Sequence, residues 1–285
     1  MAESILVAGA NGTIGKELVK KLLEYGSCIR IGVRNLEKAA AINYSNCPVV
    51  IFDYEKPETF KNAFEGISKF FLATPSGHPQ IDQLILPVIE AAKSAGVDHL
   101  VTLGALGVEQ DNSTPLSIAE KCVQQCGIDY TILRPNLFMQ NILNLSDSIK
   151  KYKELRLPGG YAHISFVDAR DVAAAAASIL LHSTNRNHIY LLTGKESPDL
   201  FEVARCLSIV CGKTISYIPV SHSEAYQEFL SCGLSSQNAN LINGLFEIAR
   251  QGWCEKIRPD LKEILKHDPI SFQQFAWDYQ ESWSE

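Results

Sequence analysis

The sequence predicts an α/β fold, a doubly wound parallel sheet with a smaller α+β C-terminal lobe, on three observations. Apolar strand-length runs alternate with helix-length runs through the first half, as in a parallel sheet covered on both faces. The first apolar run, from Ile5, leads into Gly9-x-x-Gly12-x-x-Gly15 and then the helix-forming stretch KELVKKLLEYG. Beyond Asn136 the alternation gives way to successive helices that do not fit between sheet strands. The reading therefore assigns residues 1–150 to the sheet domain and 151–285 to the smaller lobe, interleaved with it, since no Gly, Ser or Pro linker and no internal repeat separates them.

Each element follows from pattern and punctuation. After the first helix, Cys28–Val33 reads as the second strand and the run ending at Phe52 as the third. Then come a helix at Pro57–Phe64, a strand at Ser68–Thr74, a helix at Gln80–Ala95, a strand at Asp98–Leu103, a helix at Pro115–Gln125 and a strand at Tyr130–Leu133. Gly66 and Gly96 stand just past helices, where a left-handed residue closes the last turn. Right-handed crossovers then give the strand order 3-2-1-4-5-6. In the second half, strands are expected at His163–Val167, His188–Leu192 and Ile215–Pro219. Helices are expected at Asp168–Leu181, Pro198–Val210, Ser223–Leu230, Ser235–Arg250 and Ser271–Trp283, with Asp199, Ser223 and Ser236 as helix starts.

Composition narrows the class. A chain of 285 residues, 46% hydrophobic, buries a large core. The net charge is −6 and no run of Lys or Arg exceeds two, so neither nucleic acid nor an anionic membrane is expected as a direct partner. The longest apolar stretch, Val172–Leu181, is too short to span a bilayer and reads as a buried helix. The opening MAESILV has no basic region, so no secretory leader is expected. Eight cysteines without a C-x-x-C pair or zinc spacing read as reduced thiols of a cytoplasmic protein with no metal site.

The glycine-rich turn carries the first chemical signal. A buried strand fixes its entry, glycines remove Cβ atoms where a backbone must approach phosphate, and the helix that follows aims unpaired N–H groups outward. Gly9, Asn11, Gly12, Thr13, Ile14 and Gly15 are therefore candidates to hold a dinucleotide pyrophosphate, the alternative being a tight turn without ligand. Arg34 follows the second strand, about 20 positions past the last glycine, where an acid would take a ribose 2′-hydroxyl and a basic residue a 2′-phosphate. Its guanidinium matches a phosphate through two parallel hydrogen bonds, so the expected cofactor is NADP(H). Lys38 either adds charge to that phosphate or is a solvated surface lysine. Asp53, at the end of the third strand, either accepts from an adenine amino group or caps the turn before Glu55.

Across almost its whole length the sequence resembles the NmrA-like, atypical branch of the short-chain dehydrogenase/reductase superfamily. The matching stretches are GANGTIG at Gly9, VRNLEKA from Val33, AAKSAGVDHLV from Ala91, GIDYTILRPNLFMQN from Gly127, FVDARDVA from Phe166, YLLTGKE from Tyr190 and DPISFQQFAWDY near the carboxyl end. The resemblance implies an NADP-binding Rossmann domain, a small mixed lobe and a cleft between them. Members include quinone, dye and phenylpropanoid reductases, and proteins that bind the dinucleotide and signal redox state without turnover.

The catalytic pattern of the superfamily is incomplete here. It places a Ser at the end of the fifth strand and a Tyr-x-x-x-Lys on the next helix, so that a tuned phenol donates a proton. This chain has Gly104 at the first position and Ser117 at the tyrosine position, with Lys121 at the lysine spacing, while the downstream GIDYTILRP match points to another register. Relatives with a His or Lys earlier on the helix align it with Leu116. Candidates to line a cleft are Thr74 and Pro75 after the fourth strand, Phe138 and Asn141 after the sixth, and Tyr161 and His163 at the start of the second lobe. Of these, Tyr161 and His163 are also candidate proton donors, the alternative being packing or surface roles. Arg134 and Asp168 are expected to make structural contacts between lobes. The leading expectation is an NADPH-dependent reductase of a small planar electrophile such as a quinone, which takes hydride without a protein acid. The second is a non-catalytic NADP(H) redox sensor that acts on a protein partner.

Overall fold

A computed structural model describes residues 4–37, 47–75, 78–182 and 186–284. In chain order its strands are β1 (Ser4–Ala8), β2 (Cys28–Val33), β3 (Val49–Ile51), β4 (Lys69–Leu72), β5 (His99–Leu103), β6 (Asp129–Pro135), β7 (Glu154–Leu157), β8 (His188–Leu192) and β9 (Ser216–Pro219). Its α-helices are α1 (Thr13–Glu24), α2 (Phe60–Phe64), α3 (Ile81–Ser94), α4 (Pro115–Gln124), α5 (Ser146–Tyr152), α6 (Ala169–His182), α7 (Leu200–Cys211), α8 (His222–Ser231), α9 (Ser236–Arg250), α10 (Asp260–Leu265) and α11 (Phe272–Asp278). By contacts the chain forms two units, one from Met1–Pro135 and Ala169–Leu191, the other from Asn136–Asp168 and Leu192–Glu285.

The sheet runs β3-β2-β1-β4-β5-β6-β8, a Rossmann-type parallel arrangement in the expected order with β8 added at the edge. Covered on both faces, its strands are continuous apolar runs rather than alternating ones. Leu6, Phe70, Leu72, Leu100 and Ile132 are fully buried on them. One face gathers Phe52, Phe64 and Phe70 edge to face, with centroids 5.0 to 5.8 Å apart. Each such ring stabilises the fold by about 1.5–3 kcal/mol through burial, and edge-on geometry adds to it. On α1, Ile14, Leu18, Val19 and Leu22 form the buried stripe, and the helix packs on α6. Ala173, Ala175, Ala176 and Ala177 of α6 are buried in full, which accounts for the apolar stretch at 172–181: small side chains let two helices approach closely.

The second unit pairs β7 with β9 in parallel and packs α7, α8, α9 and α11 around Leu157, Phe166, Leu200, Phe229, Phe246, Phe275 and Trp283. Trp283 donates its indole N–H to the Ala276 carbonyl at 3.0 Å, which satisfies its one polar atom inside the core. Sequence reasoning missed β7, α5 and α10. It also expected a strand at His163–Val167 that does not form: the segment makes one bridge, Val167 to Phe138. Its other backbone N–H groups are taken elsewhere, Ile164 by the Pro198 carbonyl and Ser165 by that of Cys254. Asn136 completes this region, its amide donating to the Ser165 and Cys254 carbonyls and to Ser165 Oγ while its oxygen accepts from the Leu137 N–H. Helix starts also shift. Asp199 caps α7 as expected, but α8 and α9 are capped by Ser221 and Ser235 rather than Ser223 and Ser236. The reason is the Ser221-x-x-Glu224 spacing, which closes a reciprocal capping box. The last expected helix, Ser271–Trp283, ends at Asp278 and continues as a 3₁₀ turn at Gln280–Ser282.

Candidate functional site

The turn after β1 is shaped by contacts that only glycine permits at two of its three positions. Gly9 has φ +67°, and a Cβ there would lie 2.5 Å from Ala73 Cβ at the end of β4. A Cβ on Gly15 would lie 2.2 Å from the Gly9 carbonyl oxygen, so the first turn of α1 presses directly on the loop. Gly12 differs. Its backbone is extended (φ −79°, ψ 171°), and the nearest atom to a Cβ there is the Gly9 oxygen at 3.3 Å. A Cβ at Gly12 would press on that one backbone oxygen and meet nothing else within 4 Å. What the missing Cβ keeps open is the exposed approach to the helix end.

That end is electropositive and unsatisfied. Gly12 caps α1 without a side-chain hydrogen bond, and no acidic residue stands in the first turn. The first helical bond is Lys16 N–H to the Gly12 carbonyl at 3.0 Å. The N–H groups of Thr13, Ile14 and Gly15 precede it and have no partner among the described residues. Such an end binds anions through its N–H groups and its dipole.

A cavity of about 850 Å³ opens beside it, lined by Gly9, Ala10, Asn11 and Gly12 from the turn, Gly32, Val33, Arg34 and Asn35 from the end of β2, Phe52 and Tyr54 from the end of β3, and Ala73 and Pro75 from the end of β4. This is the carboxyl edge of the sheet at the point where strand order reverses, where open α/β sheets bind ligands. Arg34 is exposed and makes no ion pair or hydrogen bond among the described residues, so its guanidinium is available. Tyr54 donates its hydroxyl to the Ala73 carbonyl at 2.8 Å and so ties two walls together. Burial pushes its phenol well above the ordinary range, which keeps it a donor. The cavity matches what a nucleotide requires: N–H groups on one side, a free cation on another, apolar walls between.

The structure thus gathers Gly9, Asn11, Gly12, Arg34 and Pro75 around one cavity, with Thr13, Ile14 and Gly15 supplying the helix end. Lys38 lies outside the described residues. Asp53 caps its own turn instead of lining the cavity: its carboxylate accepts from the Glu55 N–H at 3.2 Å and sits 3.6 Å from Lys56. Thr74 also faces elsewhere, its hydroxyl 3.0 Å from that of Thr102 on β5. Sequence reasoning missed Gly32, Phe52, Tyr54 and Ala73. Their only signal was position, at or next to the ends of the second, third and fourth strands.

The superfamily's serine position is occupied here. A Cβ on Gly104 would fall 1.9 Å from Glu120 Oε1, so this carboxylate fills the space that a serine side chain would need. Glu120 is buried and gripped by Arg134, whose Nη2 lies 2.7 Å away. Burial raises the Glu120 carboxyl and the Arg134 bond partly offsets it. Arg134, expected to contact the other lobe, spends its guanidinium on Glu120 and Glu109 within its own unit. Asp168 is buried in the second unit and accepts from Gln140 at 2.9 Å.

Of the weak acid candidates, none lines the cavity. Ser117 is buried at the start of α4, where its backbone N–H reaches the Thr114 cap. Lys121 is exposed on the same helix. Tyr161, in the second unit, is 80% exposed and stacks on Phe201 with centroids 5.5 Å apart. His163 donates from Nδ1 to the Ser197 carbonyl at 2.9 Å, which raises its pKa. Phe138 is half-buried and bridges Val167, while the Asn141 N–H closes a turn on the Phe138 carbonyl. Among the described residues no cluster of His, Cys, Asp or Glu could hold a metal ion, and no helix is long and apolar enough to cross a membrane.

Comparison with known proteins agrees with this geometry. A family described as NAD(P)H-binding matches residues 9–183. The chain is 31% identical to the NAD(P)H azoreductase of Xenophilus azovorans over 95% of its length and 96% of that protein. It is 27% identical to quinone oxidoreductase 2 of Escherichia coli over 84% and 85%. Among solved structures, the triphenylmethane reductase of Citrobacter sp. complexed with NADP(H) superposes with a TM-score of 0.85 at 25% identity, covering 97% of this chain and 99% of that one. With the open helix end, the cavity at the strand-order reversal and this match over most of the sheet unit, the chain belongs to the NAD(P)H-binding family, with the fold of the atypical short-chain reductases.

Proposed function

We propose that this protein is an NADPH-dependent reductase of a small planar electrophile such as a quinone. The observation that carries the cofactor half is the cavity in which the open end of α1 and Arg34, unpaired among the described residues, face one space. The N–H groups of Thr13, Ile14 and Gly15 would hold the pyrophosphate, Arg34 the 2′-phosphate, and Phe52, Tyr54 and Pro75 would flank the adenine. When bound, the reduced nicotinamide supplies hydride. The chain's own residues orient the partners and exclude water, and in this reading Phe138 and Asn141 contribute acceptor specificity.

The acceptor class in this reading follows from Ser117 and Gly104 together. With Glu120 in the serine's space and a buried Ser117 in place of the phenol, the first unit offers no tuned acid at this position. An acceptor that is already electrophilic needs none in the hydride step, whereas a ketone needs coupled proton transfer. Relatives named as azo, quinone and triphenylmethane reductases support the same class. The same closed position also favours a second reading, a redox sensor that binds NADP(H) and acts through a protein partner. Calorimetry with NADPH and NADH, alongside turnover on a panel of quinones and cationic dyes, separates the two. Turnover supports the reductase, and tight NADPH binding without turnover of any acceptor supports the sensor.

A further inference from the structure

Arg134, on β6, has a side chain only 13% exposed. Its Nε lies 3.1 Å from both Glu120 oxygens and its Nη2 2.7 Å from Oε2, while Nη1 turns the other way and donates to Glu109 at 2.9 Å. One planar fork therefore joins the buried face of α4 to the 3₁₀ turn at Val108–Gln110, a bidentate geometry that lysine cannot reproduce.

The segment that carries Glu109 begins at Gly104. It continues alongside β6 past the end of β5, with Gly104 N–H on the Leu133 carbonyl at 2.8 Å and Leu106 N–H on that of Pro135 at 3.0 Å. Under it lie Glu120 Oε1 and Arg134 Cγ, the latter 3.3 Å from where a Cβ at 104 would be. The Thr74 and Thr102 hydroxyls tie the ends of β4 and β5 at 3.0 Å, so this segment borders the same carboxyl edge as the nucleotide cavity. That cavity takes the ends of β1, β2 and β3 and reaches the end of β4 at Ala73 and Pro75. In a two-halved sheet the reacting half of a dinucleotide then falls toward β4 and β5.

We propose that Arg134 is a positioning residue for hydride transfer: it holds the segment 104–110 in one conformation as the support for the reacting ring and its acceptor, with Glu120 as the fixed anchor and Glu109 as the releasable one. The two anchors differ in burial. Glu120 is 5% exposed and Glu109 43%, so removing Glu109 disturbs the segment without leaving a buried charge unpaired. The kinetic part of this proposal rests on the reductase reading; the structural part does not.

The test is Glu109→Ala, read in three ways. The melting temperature should barely move, because an exposed ion pair contributes little to stability. NADPH affinity should stay within about twofold, since no cavity residue is touched, and the amides of Leu106, Val108 and Gln110 should exchange at least about tenfold faster in the NADPH-loaded protein. Quinone kcat should fall about tenfold with KM for NADPH unchanged, a fraction of the ~100-fold that a 1 Å misplacement can cost. Arg134→Lys, which keeps the charge and loses the fork, should repeat the split between kcat and cofactor KM. Unchanged exchange together with unchanged kcat in folded Glu109→Ala would overturn the proposal. If the unmodified protein turns over no acceptor, the reductase reading fails, and the exchange of these amides still decides whether the clamp exists.

Discussion

Gly12→Val separates the two jobs a glycine can do in the turn after β1. The backbone at Gly12 is already extended, so valine incurs no φ penalty, and its Cβ would meet nothing nearer than the Gly9 oxygen at 3.3 Å. The fold should lose about 1 kcal/mol, the scale of replacing a helix cap by a residue that caps poorly. Binding should lose much more. A branched side chain over the N–H groups of Thr13, Ile14 and Gly15 blocks two or more charge-assisted hydrogen bonds at about 1.5–3 kcal/mol each. That is about 3–6 kcal/mol, or roughly 100- to 20,000-fold in Kd. Gly15→Ala is the control in the opposite sense: its Cβ would lie 2.2 Å from a backbone oxygen that cannot rotate away, so it should destabilise the fold by at least about 1–3 kcal/mol. Thermal melting and NADPH calorimetry on both variants provide the readout. Gly12→Val that binds at the original affinity would show that the turn is only structural, and Gly12→Val that fails to fold would refute the reading of its free space.

Three further outcomes are expected. Arg34→Glu should weaken NADPH by about 1.5–3 kcal/mol and leave NADH nearly unaffected, because the lost partner is the 2′-phosphate; equal affinity of the unmodified protein for both cofactors sinks this assignment. Ser117→Ala should retain most quinone turnover, since a general acid contributes about 100- to 10,000-fold and an alcohol is too weak to be one; fast, Ser117-dependent ketone reduction would refute the acid-free mechanism. Burial first, then the positive charges of Arg186 and Lys69, hold His99 at about 4, against about 6.5 in an unfolded chain. The unfolded state then binds the extra proton as pH falls from about 6.5 to 4, so stability present above pH 6.5 should decline by up to about 3 kcal/mol over that window. Denaturation at stepped pH should show this slope flattened in His99→Gln; an equal slope assigns it to other groups.

The sheet was legible because its central strands are buried on both faces and bounded by turn signals, as Phe70 to Leu72 before Pro75 shows. The second unit was less so. β7 is four residues, Glu154–Leu157, directly after a lysine-rich helix end, too short for a period to register. His163–Val167 has a strand's composition, yet its N–H groups pair with Pro198, Cys254 and Leu137, distant or irregular partners that no local pattern encodes.

The site divides along the same physical line. Gly9, Gly12, Gly15 and Arg34 stood out as candidates because each has a set offset from a strand end, where a dinucleotide would demand that residue type. Tyr54 and the triad of Glu109, Glu120 and Arg134 were not, because they depend on neighbours 14 to 25 positions apart along the chain. Gly104 shows the consequence most sharply. In the sequence it is a missing serine, a gap in a catalytic pattern. In the structure the gap is occupied, since Glu120 Oε1 stands 1.9 Å from where a Cβ would be, and restoring the serine alone cannot restore the chemistry. The glycine at the end of β5 is therefore one that packing requires, and a serine can stand there only after the Glu120–Arg134 pair has moved.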